Sequence, residues 1–422
     1  MLLGLTLAAL LVHGYHPAAE DGEIYIPPIK KLLNPALYPF GNEFFLNHAK
    51  LTLFDELIAA SVRISHIPFD WAVFLWYLAS IFLTLLACWN WSNDLFPKPE
   101  GRWAGVAMVA ALLTMPVAGT SLYIFDPYLT TRSLILFALL FATWHAWHGR
   151  LGWFAAWSFF GAVIHPLMAG FGISFALLLI AIRYRSRLAE LKAVPAHALL
   201  LLPLVPLASP AYHQAVVTRT YFFILQWQWY EWLGIFGPLV LLWWFGSIRG
   251  HDNLRPVGGA LIVYSLFYLA CALFLTIPER FETVARLQPM RNLHLLYVFL
   301  LVLGGGLIGT HLLKRHGWRW IAIFLPLAFG MWYAQRQLFA TSAHIEWPGA
   351  APSNDWLRAF EWIRSNTPVD ALFAMNPNYM LNDDQHGFRA VAERSRLADA
   401  VKDSGAVTMF PEPPTAEHWL EQ

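Results

Sequence analysis

Residues 70–91 read DWAVFLWYLASIFLTLLACWNW, and no charged residue follows Asp70 until the run has ended. At about 1.5 Å of helix per residue, such a run can cross a hydrocarbon core of about 30 Å. Comparable apolar runs recur at roughly 1–15, 103–122, 132–148, 151–165, 167–183, 195–209, 232–248, 257–277, 292–313 and 319–338. The expected fold is therefore an all-α polytopic membrane protein of about eleven transmembrane helices, with residues 1–338 as the multi-pass domain. The runs between 132 and 183 are short, and two of them could form one re-entrant pair.

Composition agrees. The chain is 58% hydrophobic and 13% charged, about half the charge of an ordinary soluble protein. A net charge of +1 offers no field for nucleic acid. Many of the 21 tryptophans, among them Trp71, Trp89, Trp103, Trp153, Trp232 and Trp318, stand at the ends of apolar runs, where indole rings favour the headgroup zone. The two cysteines, Cys88 and Cys271, lie inside separate apolar runs and read as inert thiols. MLLGLTLAALLVHGY lacks a basic start and makes a poor signal peptide; it reads as a short, tilted helix or the end of a longer one.

Orientation follows from Lys and Arg. Lys98 and Arg102, Arg150, the cluster 183–192, Arg249 and Arg255, and Lys314, Arg315 and Arg319 fall in alternating loops, which the positive-inside rule assigns to the cytoplasm. The N-terminus is then cytoplasmic. The loop 16–69, the loop 123–131, the His165–Pro166 turn, the segments 210–231 and 278–291, and the tail from Phe339 face outward. Within the long first loop, LTLFDELIAASVRI (51–64) reads as a surface-lying amphipathic helix, with Leu51, Phe54, Leu57, Ile58, Ser61 and Val62 on the apolar face and Asp55 off it. In the tail 339–422, SNDWLRAFEWIRSNTP (353–368) has helix start and stop signals, DALFAM and AVTMF read as strands, and LADAVKDSG reads as a helix. That rhythm indicates a small extracytoplasmic α/β element, too small to close a sheet alone, so it is either incomplete or packed on the membrane part.

Chemistry-bearing residues concentrate on the outward side. HGYHPAAEDGEIY (13–25) brings His13, His16, Glu20, Asp21, Glu23 and Tyr25 close together. Adjacent carboxylates at a bilayer face need a cation between them or a shared proton; one could accept a proton from a hydroxyl while another orients it or holds a divalent cation. A solvated acidic loop is the plain alternative. YIFDPYLTTRS (123–133) sets Asp126 near Arg132; Asp126 could cap a helix beginning near Pro127, or bind a metal. His165 stands at an outer turn, where it could bond backbone or touch a phosphate. In ERFETVARLQPMRNLHLLY (279–297), Arg286, Gln288, Arg291, Asn292 and His294 could surround a phosphate, for which the planar fork of Arg is well shaped. Pairing of those arginines with Glu279 and Glu282 is the competing reading. GGGLIG (304–309) lies inside an apolar run and suits close helix packing. CxxC, HExxH and GxSxG motifs are absent from the sequence.

Taken together, these residues resemble polytopic glycosyltransferases of the GT-C type, which have many membrane helices, a long first outer loop, an acidic residue just after the first span, a second acidic motif in the next outer loop, and often an extracytoplasmic C-terminal domain. Glu20-Asp21 would be the first acidic motif and Asp126 the second. LYPFGNEFF (37–45) and WIRSNTPVDALF (362–373) also resemble segments of uncharacterised bacterial multi-pass proteins related to that superfamily. The resemblance implies a bacterial plasma-membrane enzyme. A sugar on a polyprenyl phosphate would enter from lipid, Asp21 or Glu20 would act as general base, and Arg286 and Arg291 would stabilise the departing phosphate, with His165 and Arg132 beside it. It also allows a divalent cation, Mg or Mn, at Asp126. The chain departs from the pattern in having one acid rather than DxD in the second motif, and in its short tail. The rival readings are a transporter or flippase for a lipid-linked saccharide, which Pro203, Pro206 and Gly237-Pro238 keep open, and a non-catalytic membrane scaffold.

Overall fold

The computed structural model describes residues 1–184, 208–248, 252–277, 281–409 and 412–422. The chain is mainly helical. From the N-terminus run α1 (Leu2–His13), α2 (Gly22–Leu33), α3 (Glu43–Ala49), α4 (Phe54–Ser65), α5 (Phe69–Leu95) and α6 (Pro99–Ala111). A short antiparallel hairpin, β1 (Pro116–Val117) and β2 (Leu122–Tyr123), leads to α7 (Thr131–Trp147), α8 (Leu151–Ile164) and α9 (Pro166–Arg183). After α10 (Pro210–Val217) come α11 (Trp229–Ser247), α12 (Leu254–Thr276), α13 (Glu282–Ala285), α14 (Leu293–Ile308) and α15 (Gly317–Leu338). The tail adds α16 (Asp355–Asn366), β3 (Leu372–Phe373), α17 (Tyr379–Asn382), α18 (Phe388–Ala392), β4 (Ser395–Arg396), α19 (Lys402–Met409) and α20 (Pro413–Glu421).

Local chemistry explains where the helices begin and end. α5 stops at Phe96, which is extended because Pro97 follows it. Proline opens α6 and α9 at their first residue, where its missing N–H costs nothing. α7 opens with a reciprocal cap between Thr130 and Ser133. Among the described residues, four helical stretches are long and apolar enough to cross a membrane: Phe69–Leu95, Pro166–Arg183, Leu254–Thr276 and Glu282–Leu313. Leu2–His13 and Leu151–Ile164 are shorter apolar helices. Among the described residues, eleven full spans are not reached. The run 103–122 loses its second half to the hairpin, because α6 ends at Ala111. α11 carries four tryptophans and three glycines, which dilute its hydropathy, and α15 carries arginine near both ends. The run 195–209 lies almost wholly outside the described residues. Apolar faces suited to lipid are nevertheless present on α11, which exposes Leu233, Phe236, Val240 and Trp243, and on α15, which exposes Ile321, Leu325 and Phe329.

The helices alternate in direction. The 96–102, 147–150 and 183–184 turns meet at one end: Arg183 donates to the Trp147 carbonyl at 2.7 Å, and Arg315 reaches Glu100 at 2.9 Å. The loops after α1, α6, α8 and α15 gather at the other end. Between those ends the glycines of 304–309 permit the close approach read for them. A Cβ at Gly305 would fall 2.6 Å from the Ala104 carbonyl oxygen, and one at Gly309 would fall 2.4 Å from that of Glu100, so α14 and α6 touch backbone to backbone.

Two expectations about the outer segments need correction. α4 buries Phe54, Asp55, Ile58 and Ala59, so Asp55 lies on the packed face rather than off it; α2 and α5 cover that face. The tail is not α/β in the sense expected. AVTMF is mostly the end of helix α19, and the only sheet among the tail's described residues is the two-residue parallel pair β3–β4. The helix at 355–366 forms as read, its first N–H groups capped by the Asn354 side chain.

The tail is fastened to α2 by buried charge. Glu23, fully enclosed, accepts from Arg396 Nε at 3.0 Å through one oxygen and from the Ala390 N–H at 3.1 Å through the other. Arg389 grips Asp403 bidentately at 2.8 and 3.0 Å, and Arg396 also pairs with Asp399. Gly387 presses against the same helix; a Cβ there would sit 2.9 Å from the Glu23 Cα. Removing one partner of such a network strands the others without water. Glu23→Ala is expected to weaken the docking of the tail by roughly 3–5 kcal/mol, and Gly387→Ala to weaken it in the same direction. Limited proteolysis of residues 355–422 in detergent reads both; tails as resistant as the wild type's would contradict the clamp.

Candidate functional site

The gathered outer loops enclose a cavity of about 600 Å³. Its wall takes Glu20, Asp21 and Tyr25 from the start of α2, His48 from α3, the β1–β2 hairpin, Asp126 and Arg132 around the start of α7, and His165 from the α8–α9 turn. Arg219, Tyr221 and Tyr230 come from the approach to α11, Gln288 and Arg291 from just before α14, and Lys402 from α19. Of the seven residues to which the resemblance gives roles, six thus line one cavity. Arg286 does not; it donates to the Met409 carbonyl at 3.1 Å and serves to hold α19.

A chain of alternating charges runs along the wall. Arg132 donates to Asp126 Oδ2 at 2.9 Å through Nε and to Asp21 Oδ2 at 2.8 Å through a terminal nitrogen. The other Asp21 oxygen accepts from Lys402 Nζ at 3.0 Å, and Lys402 also reaches Glu20 at 2.5 Å. Two carboxylates on one guanidinium are pushed apart in acidity. Burial raises the Asp21 pKa, but Lys402 and then Arg132 outweigh it and hold the carboxyl well below the usual range. Burial lifts the Asp126 carboxyl above its ordinary value even against Arg132. Asp21 occupies the cap position of α2 without bonding to its N–H groups, which leaves the carboxylate free for this cluster. Asp126 does not cap a helix at Pro127, because α7 begins only at Thr131; instead it accepts from the Thr130 hydroxyl at 3.2 Å. At Asp126 Oδ2 a cation would compete with Arg132, and Arg132 and Lys402 already lie between the neighbouring acids.

Opposite this balanced chain stands an uncompensated one. Arg291 makes no ion pair and no side-chain hydrogen bond among the described residues; its Nε is buried without a partner, and its guanidinium lies 5.9 Å from the Tyr221 ring. His165 is driven well below its ordinary pKa by burial, then by Arg291, His48 and Arg132. Three non-glycine residues of the wall, Glu20 (φ 51), Ser121 (φ 55) and Gln288 (φ 45), hold left-handed backbone conformations, a strain that packed structure must sustain and that clusters at working sites. Glu282 bonds His213 at 2.8 Å rather than an arginine, while Glu279 and Arg280 lie outside the described residues.

The remaining residues of 13–25 have other roles. His13 is spent on the end of α6, at 2.9 Å from the Ala110 carbonyl and 2.8 Å from Thr114. Glu23 anchors the tail, and His16 joins a separate group with Glu346 and His386. Sequence reading missed Lys402 and Arg219. Lys402 sits in an ordinary-looking helix 381 residues from its partner Asp21, and only the acids' need for a cation pointed toward a residue like it.

Residues 354–403 match a family described as a domain of unknown function (DUF6798), a small part of the 422-residue chain. No curated protein matches the chain. The matched segment holds Arg389, Arg396 and Lys402, the cations that bind α2. Because the Asp21 carboxyl lies below its ordinary value of 3.8, its ion pairs stabilise the docked tail fully above about pH 5 and lose that contribution as pH falls below about 4. Lys402→Met is expected to flatten that dependence. Protease resistance of the tail between pH 3 and 6 tests it, and identical profiles for variant and wild type would contradict it.

Proposed function

We propose that this chain is a bacterial plasma-membrane glycosyltransferase of the GT-C kind, which takes a sugar from a polyprenyl-phosphate donor at the outer membrane face. The N-terminus is then cytoplasmic, and the tail extracytoplasmic. The observation that carries the reading is Arg291: a guanidinium with no acidic partner among the described residues, facing a cavity at the ends of the apolar helices, with carboxylates on the same cavity wall. Such a cation favours an anionic group, and a phosphate satisfies its planar fork. His165 and Tyr221 border the same space.

In this reading Arg291 stabilises the charge that grows on the departing lipid phosphate, and Gln288 and Tyr221 orient it. Asp21, committed to both Arg132 and Lys402, is a weak base. Glu20, which has Lys402 as its one ion-pair partner among the described residues and is more exposed, is the better acceptor for the proton of an incoming hydroxyl. No divalent cation at Asp126 is required. Arg286 supports α19 instead of touching the donor.

The protein, reconstituted in neutral vesicles, is expected to bind polyprenyl phosphate and to bind the uncharged polyprenol at least tenfold more weakly. Arg291→Ala should abolish that preference, whereas Arg286→Ala should retain most of it. Tryptophan-fluorescence titration measures both. Equal binding of alcohol and phosphate by the wild type would overturn the donor site. Strong phosphate binding with no transfer to any acceptor tried, accompanied by movement of the lipid across the bilayer, would favour the flippase reading.

A further inference from the structure

His16, Glu346 and His386 come from the loop after α1, the segment after α15 and the turn before α18, yet their donor atoms lie within 4.8 Å of one another. A single carboxylate oxygen, Glu346 Oε1, stands 2.9 Å from His16 Nδ1 and 2.9 Å from His386 Nε2. The other nitrogen of His386 faces Asp384 Oδ1 at 2.6 Å, and the second Asp384 oxygen is held by Asn354 at 2.6 Å. That arrangement orients the ring: with Nδ1–H donated to Asp384, Nε2 faces Glu346 either as a second N–H donor of the imidazolium or as a lone pair turned to a cation that the same carboxylate oxygen binds. A divalent cation would take the place of that proton, with both atoms turned to one point. The orienting pair of carboxylate and histidine is the usual support of a metal-binding imidazole.

The backbone is organised in advance for this meeting. Tyr15 bridges Ile345 in parallel fashion, and Ala19 bridges His386 in antiparallel fashion, so the residue next to each donor, or the donor itself, is pinned to a neighbouring segment. His16 is stacked on Phe339 at 3.8 Å between centroids, and its Nε2 is buried without a partner. Both imidazoles are buried, while Glu346 opens onto a second cavity of about 450 Å³, lined also by Tyr15, Lys30, Asp70 and Trp347.

We propose that His16, Glu346 and His386 bind one zinc-class divalent cation, which staples the tail to the loop after α1 and keeps a coordination position toward the second cavity. Two imidazoles and one carboxylate form the donor set that such ions prefer, and three protein ligands leave room for water or a small ligand. The site is separate from the cavity of Asp21 and Arg291 and does not depend on the function proposed for that cavity.

The test uses full-length protein purified in mild detergent without a polyhistidine tag. Elemental analysis should find about one zinc per chain, and cobalt added after chelation should give the visible absorption of a low-coordinate cobalt site. His386→Ala and the nearly isosteric Glu346→Gln should each lose the metal. Asp384→Asn should weaken cobalt binding roughly tenfold to hundredfold. If the variants misfold, the wild-type cobalt spectrum still decides. A wild type that neither retains metal nor develops that spectrum overturns the proposal and leaves a proton-sharing ion group; so do folded variants that bind cobalt as tightly as the wild type.

Discussion

Burying Glu23 is the constraint on which the outer half of this protein depends. A carboxylate removed from water is tolerable only if donors surround it, and here they come from the far end of the chain: Arg396, Arg389 nearby at 3.6 Å, and the Ala390 N–H. The first outer loop and the last helices therefore fold together. Asp399, held by Arg396, accepts the N–H groups of Val401, Lys402 and Asp403, and so caps the helix whose second purpose is to carry Lys402 to Glu20 and Asp21. A buried ion network often adds little net stability compared with an apolar core. Its effect here is positional, since it determines which face of the tail meets the membrane domain.

The cavity follows from that docking. Its floor is the gathered ends of apolar helices, its lid is α19, and its wall pairs the acids with Arg132 and Lys402, which leaves Arg291 and Arg219 without an acidic partner among the described residues. The same logic separates the roles of the acids. Asp21, between two cations, is an anchor for charge; Asp126, deeper, has its acidity weakened by burial although Arg132 opposes it; Glu20, strained and more open, is the freer of the three. Guanidiniums without acidic partners in a cavity favour an anionic group, which is what the proposed donor would bring.

Much of this was legible in the sequence, and the reasons are physical. Apolar length marks helices whatever their partners, proline fixed the starts of α6 and α9, and Asn354 announced α16. Positive charge at alternate loops sorted the ends, which is enough to bring Asp21, Asp126, Arg132, His165 and Arg291 to one side. The misreadings come from contacts that no local pattern encodes. Residues 112–122 are apolar enough to continue a span, but they fold back as a hairpin packed beneath Trp227, whose ring lies against Gly119. AVTMF has strand composition, yet its described residues 406–409 are helical, with Tyr212 of α10 donating to the Thr408 carbonyl and packing on α19. The pairing of Lys402 with Asp21, and the meeting of His16 with Glu346 and His386, are long-range outcomes of the Glu23 clamp.

The most direct test of the central claim is photocrosslinking. A polyprenyl phosphate carrying a photoreactive group near its phosphate is added to the reconstituted protein, and the modified residues are mapped by mass spectrometry. Adducts concentrated on Tyr221, Gln288 and neighbouring wall residues, and competed away by unlabelled polyprenyl phosphate but not by polyprenol, are the expected result. Adducts confined to the lipid-facing surfaces of α11 and α15, with none in the cavity, would contradict it.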